Sequence, residues 1–169
     1  CGSNSIVYGS TREHLILVKG FLSDGSEVTV EALTAEEFNA KCDGPDCLET
    51  AIYRGVKAML GNAENRAAIT ESFPLASIPR RNTGYALDLL MDAEVFDASS
   101  DKPFNLCKLI AGSEGTLFFA TEIELDCSPL PPEHVALVCG HFESVNESLR
   151  ANLLALHYDP SACELIDRH

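Results

Sequence analysis

The sequence predicts an α+β fold, with an antiparallel or mixed sheet flanked by helices on one side. Three observations carry this expectation. The run Leu15 to Leu22, an Asp24-Gly25 turn and Val28-Thr29-Val30 have the pattern of a β-hairpin. Between Leu117 and Cys127 the odd positions are mostly apolar, while Glu122, Glu124 and Asp126 take the other face, as in a strand with one wetted side. Helix signals are interspersed among these strands without a regular βαβ rhythm, and no internal repeat is visible.

Taken in order, the elements follow from spacing and caps. After the hairpin, Asp46 with Glu49 three residues on is placed to cap a helix. Leu48, Ile52, Val56, Met59 and Leu60 then recur on one face up to the stop at Gly61. Asn62 caps a second helix from Ala63 to about Glu71, ended by Phe73-Pro74. Residues Asp92 to Pro103 mix Asp, Glu, Ser and Pro and read as a solvent loop. Phe104 to Ile110 reads as a short helix ending at Gly112, and the strand Leu117 to Cys127 follows. Pro129, Pro131 and Pro132 mark a connection to a further strand, His134 to Cys139. Ser144 with Glu147 then forms a capping box for a helix through Val145, Leu149, Leu153 and Leu156.

Composition excludes some classes of function. The 169 residues carry 12 Lys and Arg against 26 Asp and Glu, a net charge of −14 that repels a phosphate backbone and argues against nucleic acid as a partner. No run of about 18 apolar residues occurs, so no membrane span is expected, and the N-terminus lacks the pattern of a secretory signal. Seven cysteines, an odd number among apolar neighbours, suit buried free thiols and a reducing, cytoplasmic setting better than a disulfide framework. The opening Cys1-Gly2-Ser3-Asn4-Ser5, without an initiator methionine, suggests that the chain begins inside a longer protein.

Gly112-Ser113-Glu114-Gly115-Thr116 joins the short helix to the strong strand, so two glycines bracket a tight reversal. Glycine allows positive φ and lets a ligand approach backbone N–H groups that a Cβ would shield. The same spacing also fits a helix C-cap followed by an ordinary turn, and spacing alone leaves both readings open.

Leu109 to Leu117, followed by Thr121-Glu122-Ile123, resembles a signature of the FAD-linked oxidases of the vanillyl-alcohol-oxidase type, in their D-lactate, glycolate and D-2-hydroxyglutarate dehydrogenase branch. Further segments resemble that family in the same order: Cys1 to Gly9 with Thr11, the hairpin from Leu15 to Ser26, Arg80 to Asp88, and Cys163 to Asp167. Phe118 stands where the family usually has glycine after Gly-Thr-Leu.

The resemblance implies that residues 1–130 are the second subdomain of an FAD-binding domain and that 131–169 begin the C-terminal substrate domain. The first, pyrophosphate-binding subdomain would lie upstream. The whole protein would be an FAD-dependent dehydrogenase or oxidase that oxidises a D-2-hydroxy acid such as lactate or glycolate by hydride transfer to flavin, and this fragment alone would be inactive. An iron–sulfur cluster would belong elsewhere in the parent protein. By the same resemblance Gly2, Ser5, Ile6 and Gly9 would line the flavin or its ribityl side, Asn82 and Tyr85 would approach the flavin region, and Glu114, Gly115 and Phe119 would meet the adenosine or diphosphate side. No catalytic residue is assigned within the chain.

Other features carry less. Arg80-Arg81 could neutralise a carboxylate or phosphate, or form a solvated basic turn. Cys42 and Cys47 read as incidental loop cysteines rather than the start of a metal site, since no second ligand pair follows, and a thiol redox role for them would need a depressed thiolate pKa. The isolated histidines His14, His134, His141 and His157 read as structural. A different class of function, a non-catalytic α+β interaction module, remains open at this point.

Overall fold

The computed structural model describes residues 2, 4–75, 77–78 and 84–167. In chain order the elements are α1 (Ser5–Tyr8), α2 (Thr11–His14), β1 (Leu15–Phe21), β2 (Glu27–Val30), β3 (Ala32–Leu33), α3 (Ala35–Cys42), α4 (Leu48–Gly61), α5 (Ala63–Ser72), α6 (Leu87–Met91), β4 (Phe104–Asn105), α7 (Cys107–Ile110), β5 (Phe119–Leu125), α8 (Val145–Ala155) and a 3-10 turn (Leu156–Tyr158). They fall into two compact units, Thr11–Asp126 and the pair of segments Cys1–Ser10 and Cys127–His169. The fold is α+β, with a small antiparallel sheet flanked by helices.

In the larger unit the sheet order is β2-β1-β5. The hairpin forms as the sequence predicts, pairing Val18 with Val30 and Phe21 with Glu27. Gly25 takes φ 83° in its turn, and Asp24 Oδ1 accepts from both the Ser26 N–H and the Ser26 hydroxyl. On the other side β1 pairs with β5, and two register shifts interrupt this ladder, between Leu15 and Leu17 and between Lys19 and Gly20.

Helices pack their apolar stripes below this sheet. Phe38 of α3 is fully buried and meets Phe104 edge-on at 4.6 Å, with Phe96 and Tyr53 at 5.7 and 5.8 Å. Thr34 and Glu37 form a reciprocal capping box on α3, and Asn62 Oδ1 accepts from the N–H groups of Glu64 and Asn65 to cap α5 as expected.

Several local expectations are corrected. Asp46 does not cap α4. Extended Cys47 occupies that position, so Asp46 stands one residue too early. The buried stripe of α4 is Thr50, Tyr53, Val56 and Leu60, with Ile52 only half-buried and Met59 exposed, because the aromatic cluster draws in Tyr53. Phe104-Asn105 is not helical. It pairs with Ala32-Leu33 as β4, and only Cys107 to Ile110 forms a helix, entered where the Cys107 N–H donates to Asn105 Oδ1 at 2.9 Å. The loop from Asp92 to Pro103 is not wholly solvated, since Ala93 is buried and Phe96 packs against the core.

The strong strand is shorter than expected, Phe119–Leu125, and all seven of its residues are exposed. Its apolar side is therefore uncovered within the unit, and the buried residue is Phe118, one position out of phase with the alternation. The register explains part of this: Lys19 faces Glu122 while Gly20 faces Ala120, so an extra residue on β5 moves Phe119 to the opposite face from Ile123.

In the smaller unit α8 forms, with Ser144 Oγ accepting from the Glu147 N–H. Glu147 reaches back to the Glu143 N–H rather than that of Ser144, which leaves the capping box half made. Its apolar residues Val145, Leu149 and Leu153 are exposed. His134 to Cys139 is not a strand. Among the described residues no neighbour pairs with it, and extended chain without a partner makes no ladder. No helix among the described residues is long and apolar enough to cross a membrane.

Candidate cofactor-contacting turn

The turn between α7 and β5 is a built reversal. Ser113 and Thr116 are its ends: Ser113 O accepts from the Thr116 N–H at 2.9 Å and from its hydroxyl at 2.6 Å. Glu114 and Gly115 between them have φ of 51° and 76°, the pattern of a type I′ turn. Buried Ser113 locks the entry by donating its hydroxyl to Ile110 O at 2.8 Å. Glu114 is the unexpected member, because the left-handed region costs a side-chain-bearing residue about 1–2 kcal/mol that glycine does not incur.

This geometry leaves the N–H groups of Glu114 and Gly115 exposed, and neither meets an acceptor among the described residues. A Cβ at Gly115 would meet nothing within 4 Å, so the space above it is open. Two adjacent outward donors in a positive-φ turn suit an anionic or carbonyl oxygen.

Gly112 is required for a different reason. A Cβ there would lie 2.7 Å from Arg12 Nη2 and 3.3 Å from Gly84 O. Arg12, on α2, fills that space: only 8% exposed, it donates from Nη2 to Gly84 O at 3.3 Å, while Lys108 Nζ donates to Arg12 O at 2.9 Å. Arg12 Nε is buried without a partner. An unmet buried donor costs about 1–3 kcal/mol, more for a charged group.

Through Arg12 the structure brings Gly84, the neighbour of the sequence-proposed Tyr85, against Gly112 at the start of the turn that carries Glu114 and Gly115. Gly84 has φ 62° and open space at its Cβ position, and Tyr85 is exposed. Phe119, 71% exposed, begins β5 opposite Phe21. Gly2, Ser5, Ile6 and Gly9 belong to the smaller unit, where Gly9, at φ 71°, closes α1 by donating to Ser5 O. Arg80, Arg81 and Asn82 lie outside the described residues. Sequence reasoning missed Arg12. Its one signal is its position directly after Thr11, and its burial is visible only in the fold.

The cysteines divide by position. The six described are free: Cys42 and Cys107 are buried as expected, Cys163 is half-buried, and Cys47, Cys127 and Cys139 are exposed, the last because the apolar run around it is itself uncovered. Burial pushes the Cys107 thiol up to about 11 and raises Cys42, whereas hydrogen bonds from Thr50 lower Cys47. No cluster of three or more His, Cys, Asp or Glu that could hold a metal ion occurs among the described residues.

Fold and turn together define an α+β chain with an exposed, positive-φ donor turn at the sheet edge. No family model matches the chain, and no solved structure matches it. Curated relatives do. It is 29% identical over 152 residues to the D-2-hydroxyglutarate dehydrogenase of Escherichia coli (strain K12), covering 88% of this chain and 14% of that protein. To the D-2-hydroxyglutarate dehydrogenases of Pantoea ananatis and Pseudomonas putida it is 28% and 29% identical over 98% of its length, covering 15% of each. The chain is thus similar to 2-hydroxy-acid oxidoreductases, and spans about one seventh of the length of the relatives it matches.

Proposed function

We propose that the chain is part of an FAD-dependent dehydrogenase of D-2-hydroxy acids, with residues 1–130 as the second subdomain of a vanillyl-alcohol-oxidase type FAD-binding domain and 131–169 as the start of the substrate domain. The observation that carries this reading is the similarity to D-2-hydroxyglutarate dehydrogenases along most of the chain, a stretch that includes the Ser113–Thr116 turn. The residues present fit such a nucleotide. The turn offers two unbonded N–H donors, Gly84 and Gly115 leave open space, and buried Arg12, its Nε without a partner, lies against Gly84 O and the Gly112 position.

When bound, FAD supplies the acceptor for hydride from the carbon that bears the substrate hydroxyl. On this reading, the Glu114 and Gly115 N–H groups hold the adenosine or diphosphate side, and Phe119 provides an exposed aromatic face next to them. Tyr85 flanks the flavin region with Asn82, while Gly2, Ser5, Ile6 and Gly9 contribute backbone along the ribityl side. The type I′ lock through Ser113 and Thr116 keeps the two donors preorganised, so that binding need not order them.

The test is made on the full-length protein. Stoichiometric FAD after purification, with anaerobic bleaching of the flavin by D-2-hydroxyglutarate, lactate or glycolate but not by the L-isomers of the chiral acids, is expected. A preparation that takes up no FAD, or a flavin that none of these acids reduces, would overturn the reading and leave an interaction module in its place.

A further inference from the structure

Arg12 is a fixed positive charge, more than nine-tenths buried, in a protein of net charge −14. Buried arginines are ordinarily matched by a carboxylate, because the guanidinium fork fits one and because a lone charge is costly to remove from water. Here no carboxylate lies within ion-pair distance of Arg12 among the described residues, and the side chain's one hydrogen bond goes to the Gly84 carbonyl. Lys108 Nζ donates to the backbone carbonyl of Arg12 and has no carboxylate partner among the described residues either. Acidic residues are abundant in this chain, yet none pairs with Arg12 among the described residues, which leaves its buried charge available to an anion from outside. It adjoins Gly112, whose missing side chain makes room for the guanidinium, and Gly84, which has open space at its Cβ position.

We propose that Arg12 receives an oxyanion of a bound ligand: a phosphoryl oxygen of the nucleotide or the carboxylate of the hydroxy acid. The identity of the ligand rests on the flavin reading above, whereas the anion site itself rests on the unmatched buried guanidinium. Gly112 serves the site by leaving room for the guanidinium, and Gly84 O holds its Nη2, while Nε, without a partner, is left for the ligand oxygen.

The experiment compares Arg12→Gln and Arg12→Lys with wild type in the full-length protein. FAD and riboflavin affinities of the apoprotein are measured by flavin fluorescence, KM and kcat with D-2-hydroxyglutarate, and thermal stabilisation with inorganic pyrophosphate and with oxalate. For a phosphoryl oxygen, Arg12→Gln weakens FAD by about tenfold or more, as loss of a charge-assisted hydrogen bond would. Riboflavin, which lacks phosphate, is unaffected, and lysine restores part of the loss. For a carboxylate, FAD affinity is unchanged while KM rises by a similar factor at constant kcat, again with partial rescue by lysine. Equal losses of FAD and riboflavin, or no change in FAD affinity and KM, would overturn the proposal, since a merely structural strut predicts one or the other. Should Arg12→Gln fail to fold, Arg12→Lys and the wild-type anion titrations decide: stabilisation by neither pyrophosphate nor oxalate refutes the site. If wild type binds no flavin yet pyrophosphate or oxalate still stabilises it and not the folded variant, the flavin reading fails and the anion site stands.

Discussion

Replacing Gly20 by alanine tests how β5, and with it the turn, is held against β1. A Cβ at Gly20 would collide with the Phe119 carbonyl oxygen and lie 2.7 Å from Phe118 Cε1 and 2.9 Å from Phe119 C. Optimal carbon–carbon separation is about 3.5–4.0 Å, so both the Phe118 ring and the β5 backbone must retreat. The ring is buried and the backbone belongs to the ladder that pairs Gly20 with Ala120 and Phe21 with Phe119. Overpacking of about 1–3 kcal/mol and one or two weakened ladder bonds at about 1 kcal/mol each, less about 0.5–1 kcal/mol from the stiffer unfolded chain, give a loss of about 1–4.5 kcal/mol. Urea unfolding followed by circular dichroism reads this directly. Gly55→Ala is the control of opposite sign. Gly55 is exposed within α4 with nothing near its Cβ position, so alanine there adds about 0.5–1 kcal/mol. Phe118→Ala combined with Gly20→Ala relieves the ring contact but not the one with the Phe119 carbonyl. A Gly20→Ala protein within 0.5 kcal/mol of wild type, well below this estimate, would refute the reasoning, as would full rescue by Phe118→Ala.

The thiols and a helix cap give further tests. Under native conditions near neutral pH, iodoacetamide should label Cys47 well before Cys42 and Cys107, because Cys47 is exposed with its thiolate favoured by Thr50 while burial disfavours the other two; mass mapping that finds Cys107 labelled first would contradict this. Cys107 also makes stability depend on alkaline pH. With its thiol raised from 9.0 to about 11 in the fold, the unfolded chain releases this proton first, so the contribution is complete below pH 9 and is lost as pH rises through about 11. The loss is on the order of 2–3 kcal/mol, and Cys107→Ala should flatten that limb of the stability profile. Asn62→Ala removes the acceptor for two N–H groups of α5 and should cost about 1 kcal/mol in thermal or urea unfolding.

Local chemistry was legible in the sequence wherever it depends on neighbours a few residues apart. The Asp24-Gly25 hairpin, the Asn62 cap, the α4 and α8 helices and the tight reversal at Ser113–Thr116 all follow from turn residues, caps and periodicity, and each formed. The ordered motifs that resemble flavin enzymes were legible in the same way, and the similarity to D-2-hydroxyglutarate dehydrogenases supports that branch. Tertiary structure decided what depends on distant partners. The bulge opposite Lys19-Gly20 split the alternation of β5 between faces, the pairing of Phe104 with Leu33 replaced a helical start by a strand, and the run His134–Cys139 found no neighbour to pair with. Arg12 is the clearest case. In the sequence it is one basic residue after Thr11, but in the fold its charge is buried between Gly84 and Gly112 without a carboxylate. Periodicity and capping act along the chain, whereas burial, register and charge pairing are set by residues about 70–100 positions away, which no local pattern encodes.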